Sequence, residues 1–169
     1  MDLFDTIFTR RSIRKYTGEP VSEEQLALIL RAGSYAPSAH NKQPWEFVVI
    51  RASATLEAIA AGHPYAKMLP KAGCCVVVCG DKQRDGMTGF LVEDCAAAIQ
   101  NMLLAAHGLG LGAVWCGLYP VPRLTRMISG VLGLPAHILP VGMIAVGHKL
   151  EDRQAAERFD PTRVHHEHW

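Results

Sequence analysis

The 169-residue chain carries a formal net charge of +1, with 49% hydrophobic and 20% charged residues. This balance argues against a disordered polyelectrolyte and against a nucleic-acid partner, and the length fits one domain spanning residues 1–169 around a single core. Residues Met1 to Arg10 alternate charged and apolar side chains and lack the continuous apolar stretch of a signal peptide or membrane span, so a soluble, cytoplasmic protein without a membrane partner is expected.

Asp2 is placed to cap a short helix ending near Thr9, with Leu3, Phe4, Ile7 and Phe8 on one face. A second helix opens at Ser22, which has capping-box spacing to Gln25, and closes near Gly33. The run Ser34 to Pro44, SYAPSAHNKQP, favours a turning loop. Trp45 to Arg51 and Cys74 to Gly80 read as strands buried on both faces, separated by a helix over Ser53 to Ala61. Met87 to His107 is a long helix, apolar on nearly all sides from Cys95 onward and therefore central, and Gly108 ends it. Leu111 to Trp115 gives a third strand, Val121 to Ser129 a helix, and Ile138 to Val146 a fourth strand. The pattern is α+β, with helices around one mixed sheet. The tail from about residue 147 to Trp169 has little periodicity of its own, and ordering it would be costly unless it packs on another subunit.

Five cysteines, Cys74, Cys75, Cys79, Cys95 and Cys116, lack CxxC spacing and lie mostly in apolar runs, where cysteine acts as a small hydrophobe; disulfides and zinc are not expected. The interrupted histidines of Val164 to Trp169 read as a docked polar tail rather than a metal site.

Three constellations bear on chemistry. Arg10-Arg11-Ser12-Ile13-Arg14 gathers three guanidiniums and a hydroxyl, a set that matches phosphate oxygens but also suits a solvated turn. His148, Lys149 and Arg158 in the tail are candidates for a second anion contact, though each alone is an ordinary surface residue. Pro37 to Trp45 is dense in hydrogen-bonding side chains suited to the edge of a planar heterocycle, or to a stiffened surface loop. The glycines of GLGLGAVWCG follow a helix and lead into a strand, the reverse of a dinucleotide fingerprint, so a Rossmann site is rejected. That segment instead offers backbone N–H groups at Cys116 and Gly117, the latter permitting close ligand approach. Nothing adjacent to Cys116 in sequence would activate its thiol as a nucleophile.

Taken together and in register, RRSIR, PSAHNKQPWEF, GLGLGAVWCG and the ending RFDPTRVHHEHW resemble the short members of the FMN-dependent nitroreductase family over nearly the whole chain. The resemblance implies a nitroreductase-like α+β fold and an intertwined homodimer with FMN at the subunit interface. It also implies an NAD(P)H-dependent oxidoreductase acting on nitroaromatics, quinones or similar small electron-poor acceptors. Carried over by residue, Arg10 and Ser12 would hold the phosphate, Arg11 would follow the ribityl chain and Arg14 would face the pyrimidine edge. Pro37, Ser38, Ala39 and Asn41 would approach from the other subunit. Trp115 would be a further cofactor contact, with the amides of Cys116 and Gly117 at the flavin N5 and O4. His148, Lys149 and Arg158 would complete the phosphate site. Tyr65, Lys67 and Met68, within GHPYAKMLP, would line the acceptor opening. No side chain is expected to act as catalytic acid or base, since the flavin N5 would carry the chemistry, and no metal is implied. Rival readings are a specialised flavoenzyme on the same scaffold, dehalogenase-like or flavin-consuming, and a flavin-binding module without turnover.

Overall fold

A computed structural model describes all residues, 1–169. Helix α1 (Leu3–Thr9) is capped by Asp2, whose side chain accepts from the Asp5 amide. Helix α2 (Glu23–Ser34) opens with the expected capping box, Ser22 and Gln25 exchanging side-chain-to-backbone bonds at 3.1 and 3.2 Å. Strand β1 (Trp45–Ile50), helix α3 (Ser53–Gly62) and strand β2 (Cys74–Asp81) follow. Helix α4 (Thr88–Gly108), strand β3 (Gly112–Gly117), helix α5 (Pro122–Leu132) and strand β4 (Ile138–Gly147) complete the domain.

The four strands pair antiparallel in the order β1-β2-β4-β3. The expected mixed character is confined to an isolated parallel bridge between Ser12 and Ala113 on the free edge of β3. Because side chains alternate across a strand, β2 feeds both faces. Cys75, Val77 and Cys79 pack toward α3 and α5, whereas Cys74, Val76 and Val78 pack toward α2 and α4. β2 is buried throughout, as its apolar run implied. The outer strand β1 is not: Val49 is exposed, because only one edge of β1 is paired and its run of hydrophobics exceeds what the neighbouring helices cover.

α4 is long and apolar enough to cross a membrane by length and composition, but its residues Leu91, Cys95, Ala98, Ile99, Met102, Leu103 and Ala106 are buried, making it the central helix of this core. β3 runs two residues beyond the expected end, taking in Cys116 and Gly117. The five cysteines are all buried, and desolvation holds their thiols above the ordinary value, with Cys74 pushed up to about 11 and Cys79 and Cys95 to about 12.

α1 contrasts with the rest. None of its residues is buried, and Leu3, Phe4 and Phe8 each stay about two-thirds exposed, with the two phenylalanines stacked at 5.9 Å. The tail after Lys149, which bridges Tyr16, is exposed except at half-buried Glu151 and Asp160, and its only further helical element is the single turn Pro161–Arg163.

Candidate active site

The RRSIR run leaves α1 at Arg10 and lies along the open edge of β3, where the Ile13 amide donates to the Ala113 carbonyl at 3.0 Å. Close approach here depends on Gly112: a Cβ at that position would stand 2.7 Å from Cγ2 of Ile13. Two cavities open on either side of this run. One, of about 740 Å³, is lined by Arg10, Arg11 and Arg158 together with Ile7, Phe8 and Phe159. The other, of about 750 Å³, is lined by Arg14, Trp115, Cys116 and Gly117 on one side and by His63, Tyr65, Lys67 and Met68 on the other. Arg10 and Arg14 are four residues apart, so the chain spans at most about 14 Å between the cavities.

The first cavity is net cationic, with Arg10, Arg11 and Arg158 outnumbering Glu157, whose carboxylate accepts from the Arg158 and Phe159 amides at 2.8 Å. Burial, then the charges of Arg158 and Arg11, depress the pKa of Arg10 below its ordinary value. His107, which shares a 2.8 Å hydrogen bond with the Thr9 hydroxyl, is likewise lowered by burial and then by Lys149, Arg10 and Arg11. Cations crowded enough to disfavour one another's protonation form a site for an anion. The members are not equally available. The Arg11 guanidinium donates to the carbonyls of Phe8, Arg10, Gln154 and Ala156, so it clasps the tail to the end of α1. Lys149 pairs with Asp152, and His148 takes part through its backbone, its carbonyl accepting from Thr17 at 2.9 Å. Arg10 and Arg158 are the guanidiniums that face the cavity without such ties.

In the second cavity the alternation of β3 decides which backbone faces outward. The Ala113 carbonyl turns to the open edge, so those of Trp115 and Gly117 do too, while Cys116 directs its backbone to β4. The Gly117 carbonyl is taken by His63, at 3.0 Å from Nε2. Cys116 enters the cavity through its thiol, which donates to the Tyr65 carbonyl at 3.5 Å. Burial raises the thiol pKa and outweighs the opposing charge of Arg14, so the group is unsuited to nucleophilic attack. Lys67 extends its ammonium to the Ala60 carbonyl at 3.1 Å, capping the end of α3.

The loop from Pro37 to Pro44 contacts neither cavity within its own chain. It is nevertheless built to hold one shape. His40, Asn41 and Gln43 adopt left-handed backbone, with φ of 52°, 54° and 49°, at a cost on the order of 1 kcal/mol each. Two buried carboxylates hold the loop: Asp94 of α4 accepts from the Ala39 amide at 2.9 Å, and Asp85 accepts from Lys42 Nζ at 3.1 Å. The Ser38 hydroxyl accepts from the Gln43 amide, and the Gln43 side chain donates to that of Asn41. The Asp85 carboxyl is held below the usual carboxylate range by the Met87 amide first, and by Lys42 after that. The anchors Asp85 and Asp94, like His63, were not visible as functional residues in the sequence.

The match to known proteins is decisive for kinship. The Nitroreductase family model covers residues 7–148. The chain belongs to the nitroreductase family. A Methanothermobacter thermautotrophicus protein named "Putative NADH dehydrogenase/NAD(P)H nitroreductase" is 43% identical over the whole of this chain and 88% of its own length. A crystal structure of a like-named Parabacteroides distasonis protein superposes with a TM-score of 0.95 at 38% identity, covering 98% of both chains. A nitroreductase-type chain of Desulfovibrio desulfuricans, solved in complex with FMN, superposes at 0.86 with 34% identity, covering 100% of this chain and 98% of that one.

Proposed function

We propose that this nitroreductase-family chain binds FMN across the two cavities and uses it to pass electrons from NAD(P)H to small electron-poor acceptors such as nitroaromatics or quinones. The observation that carries the reading is the pair of untied guanidiniums of Arg10 and Arg158, in a cavity where three arginines face the single carboxylate of Glu157, adjoining a largely apolar cavity that ends at Arg14 and Gly117. A phosphate supplies the missing negative charge, and a planar ring suits the apolar space. The FMN complex of the Desulfovibrio relative supports the same choice of ligand.

When bound, FMN supplies hydride acceptance and release at N5, so the protein's part is binding, orientation and charge. Arg10, Ser12 and Arg158 hold the phosphate, with Lys149 adding positive potential while Arg11 secures the tail over the site. Arg14 sets a cation at the pyrimidine edge, where reduction accumulates negative charge. The Gly117 amide, on the open edge of β3, is the donor toward the ring. Tyr65, Lys67 and Met68 border the side that the nicotinamide and then the acceptor enter, and neither needs an acid or base from the protein.

The working unit is a homodimer in this reading. Three features support it: the exposed apolar face of α1, the exposed tail, and the shaped loop at Pro37, Ser38, Ala39 and Asn41 that serves neither cavity of its own chain. A second copy supplies that loop to the flavin. The nicotinamide donor is a cytoplasmic cofactor, which sets the cytoplasm as the proposed location.

The test is an FMN titration of purified protein, followed by anaerobic NADH or NADPH and by sedimentation at two concentrations. A yellow dimer bleached by the donor and recoloured by a nitroaromatic or quinone is expected. A colourless protein that declines FMN overturns the reading, and one that binds FMN without oxidising NAD(P)H reduces it to a binding module.

A further inference from the structure

A histidine almost without solvent contact stands between the two walls of the ring cavity. His63 is 1% exposed and immediately follows the last residue of α3. Its own backbone N–H closes the helix by donating to Ile59, so the helix end makes no demand on the imidazole. The ring instead bonds at both nitrogens. Nε2 lies 3.0 Å from the Gly117 carbonyl oxygen, and Nδ1 lies 3.2 Å from the Tyr65 amide nitrogen. A carbonyl only accepts and an amide N–H only donates, so Nε2 carries the proton and Nδ1 the lone pair. The two neighbours thereby fix a neutral imidazole in one tautomer.

Each neighbour belongs to a different wall. Gly117 ends β3, on whose open edge its N–H and C=O both lie, whereas Tyr65 begins the segment that borders the acceptor side. The Cys116 thiol repeats the same link from strand to segment through the Tyr65 carbonyl. A buried imidazole costs more than an aliphatic side chain of similar size unless both of its polar atoms are used, and here both are.

Resting on the FMN reading above, we propose that His63 is a positioning residue for the flavin edge. By donating to the Gly117 carbonyl it fixes the strand end that turns the Gly117 amide toward the ring, and by accepting from Tyr65 it ties the acceptor wall to the same reference point. Ring and acceptor are thus registered against one side chain, although His63 needs no contact with either.

Two variants separate the bonds. His63→Gln carries an amide nitrogen near the position of Nε2 and keeps a donor for Gly117 but loses the acceptor at Nδ1. His63→Asn keeps an oxygen near Nδ1 for Tyr65 and is too short to reach Gly117. Among folded variants, His63→Gln should hold FMN within about twofold of the parent, with an unshifted flavin spectrum and a raised KM for the acceptor. His63→Asn should weaken FMN by about tenfold and shift the visible band, the loss expected for one buried hydrogen bond. A purely space-filling histidine would lower thermal stability in both variants and leave the spectrum and the FMN affinity unmoved, which overturns the proposal.

Nitrogen-15 spectra of the FMN-free parent, with the His63 signals identified by their loss in His63→Gln, give a readout that survives poor folding of His63→Asn. A neutral Nε2–H tautomer is expected, and an Nδ1–H or charged ring overturns the proposal. A parent that binds no FMN overturns the flavin reading instead, because the tautomer is read without the cofactor.

Discussion

The two polar regions singled out by the sequence, the loop at residues 37–44 and the cationic arm, are built on opposite principles. The loop at residues 37–44 is held in shape within its own chain: its strained backbone is anchored by one oxygen each of the buried carboxylates of Asp85 and Asp94, and Ser38, Asn41 and Gln43 bond within it. The arm formed by residues 10–14 and the tail crowds like charges, with Arg11 and Arg158 acting on Arg10, and Lys149, Arg10 and Arg11 acting on His107. The loop spends folding energy in advance to present a fixed shape. In the proposed function a bound phosphate would offset the arm's charge. Substitutions in the loop should therefore appear first as lost stability, and those in the arm first as lost affinity.

The sharpest break in that contrast would come from Arg10→Ala or Arg158→Ala. Each would remove a charge-assisted contact to the proposed FMN phosphate and should weaken FMN by about ten- to a hundredfold in a fluorescence titration, while the melting temperature without FMN stays level or rises. A fall in that temperature would show the arm to be structural. Next, Asp94→Ala leaves the half-buried Ala39 amide without its acceptor and should cost about 1–3 kcal/mol in denaturant unfolding of the FMN-free protein. An unchanged midpoint would remove the distinction from the other side.

Asp85→Asn sharpens it through pH. The folded carboxyl is depressed, so its contribution is fully present above the ordinary value of about 3.9 and is lost as pH falls through the depressed value. The stability gap between parent and variant should accordingly persist at neutral pH and close below about pH 4. The smallest effect concerns His107: inorganic phosphate or FMN should raise its pKa, followed by proton NMR, as the surrounding positive charge is offset. A pKa that ignores both anions would mean that the cations do not share a site.

Much of this was legible because it is local. The capping box at Ser22 and Gln25, the Asp2 cap and the order of helices and strands follow from spacing within a few residues, and the structure repeats them. The arginines of RRSIR were legible as a cation cluster, and Arg10 and Arg11 line one cavity with Arg158. What stayed hidden depends on partners far along the chain. Asp94 meets Ala39 across 55 residues and Asp85 meets Lys42 across 43, so neither aspartate looks different from a surface carboxylate in sequence. His63 lies 54 residues from Gly117. Arg11 reads as a ribityl-chain contact until the tail carbonyls of Gln154 and Ala156 fold back onto it. The exposure of β1 was hidden for a related reason, since strand order is a property of the sheet and not of the strand.

Cys116 bears on how long such a catalyst lasts. Reduction of nitroaromatics yields nitroso compounds, and quinones are Michael acceptors; both arylate or trap sulfur when it is a thiolate. Cys116 is the one cysteine that opens onto the cavity where these electrophiles would come and go, yet burial keeps its proton in place. In the proposed chemistry that retained proton is a form of self-protection, sparing the enzyme from covalent inactivation by its own substrates and products.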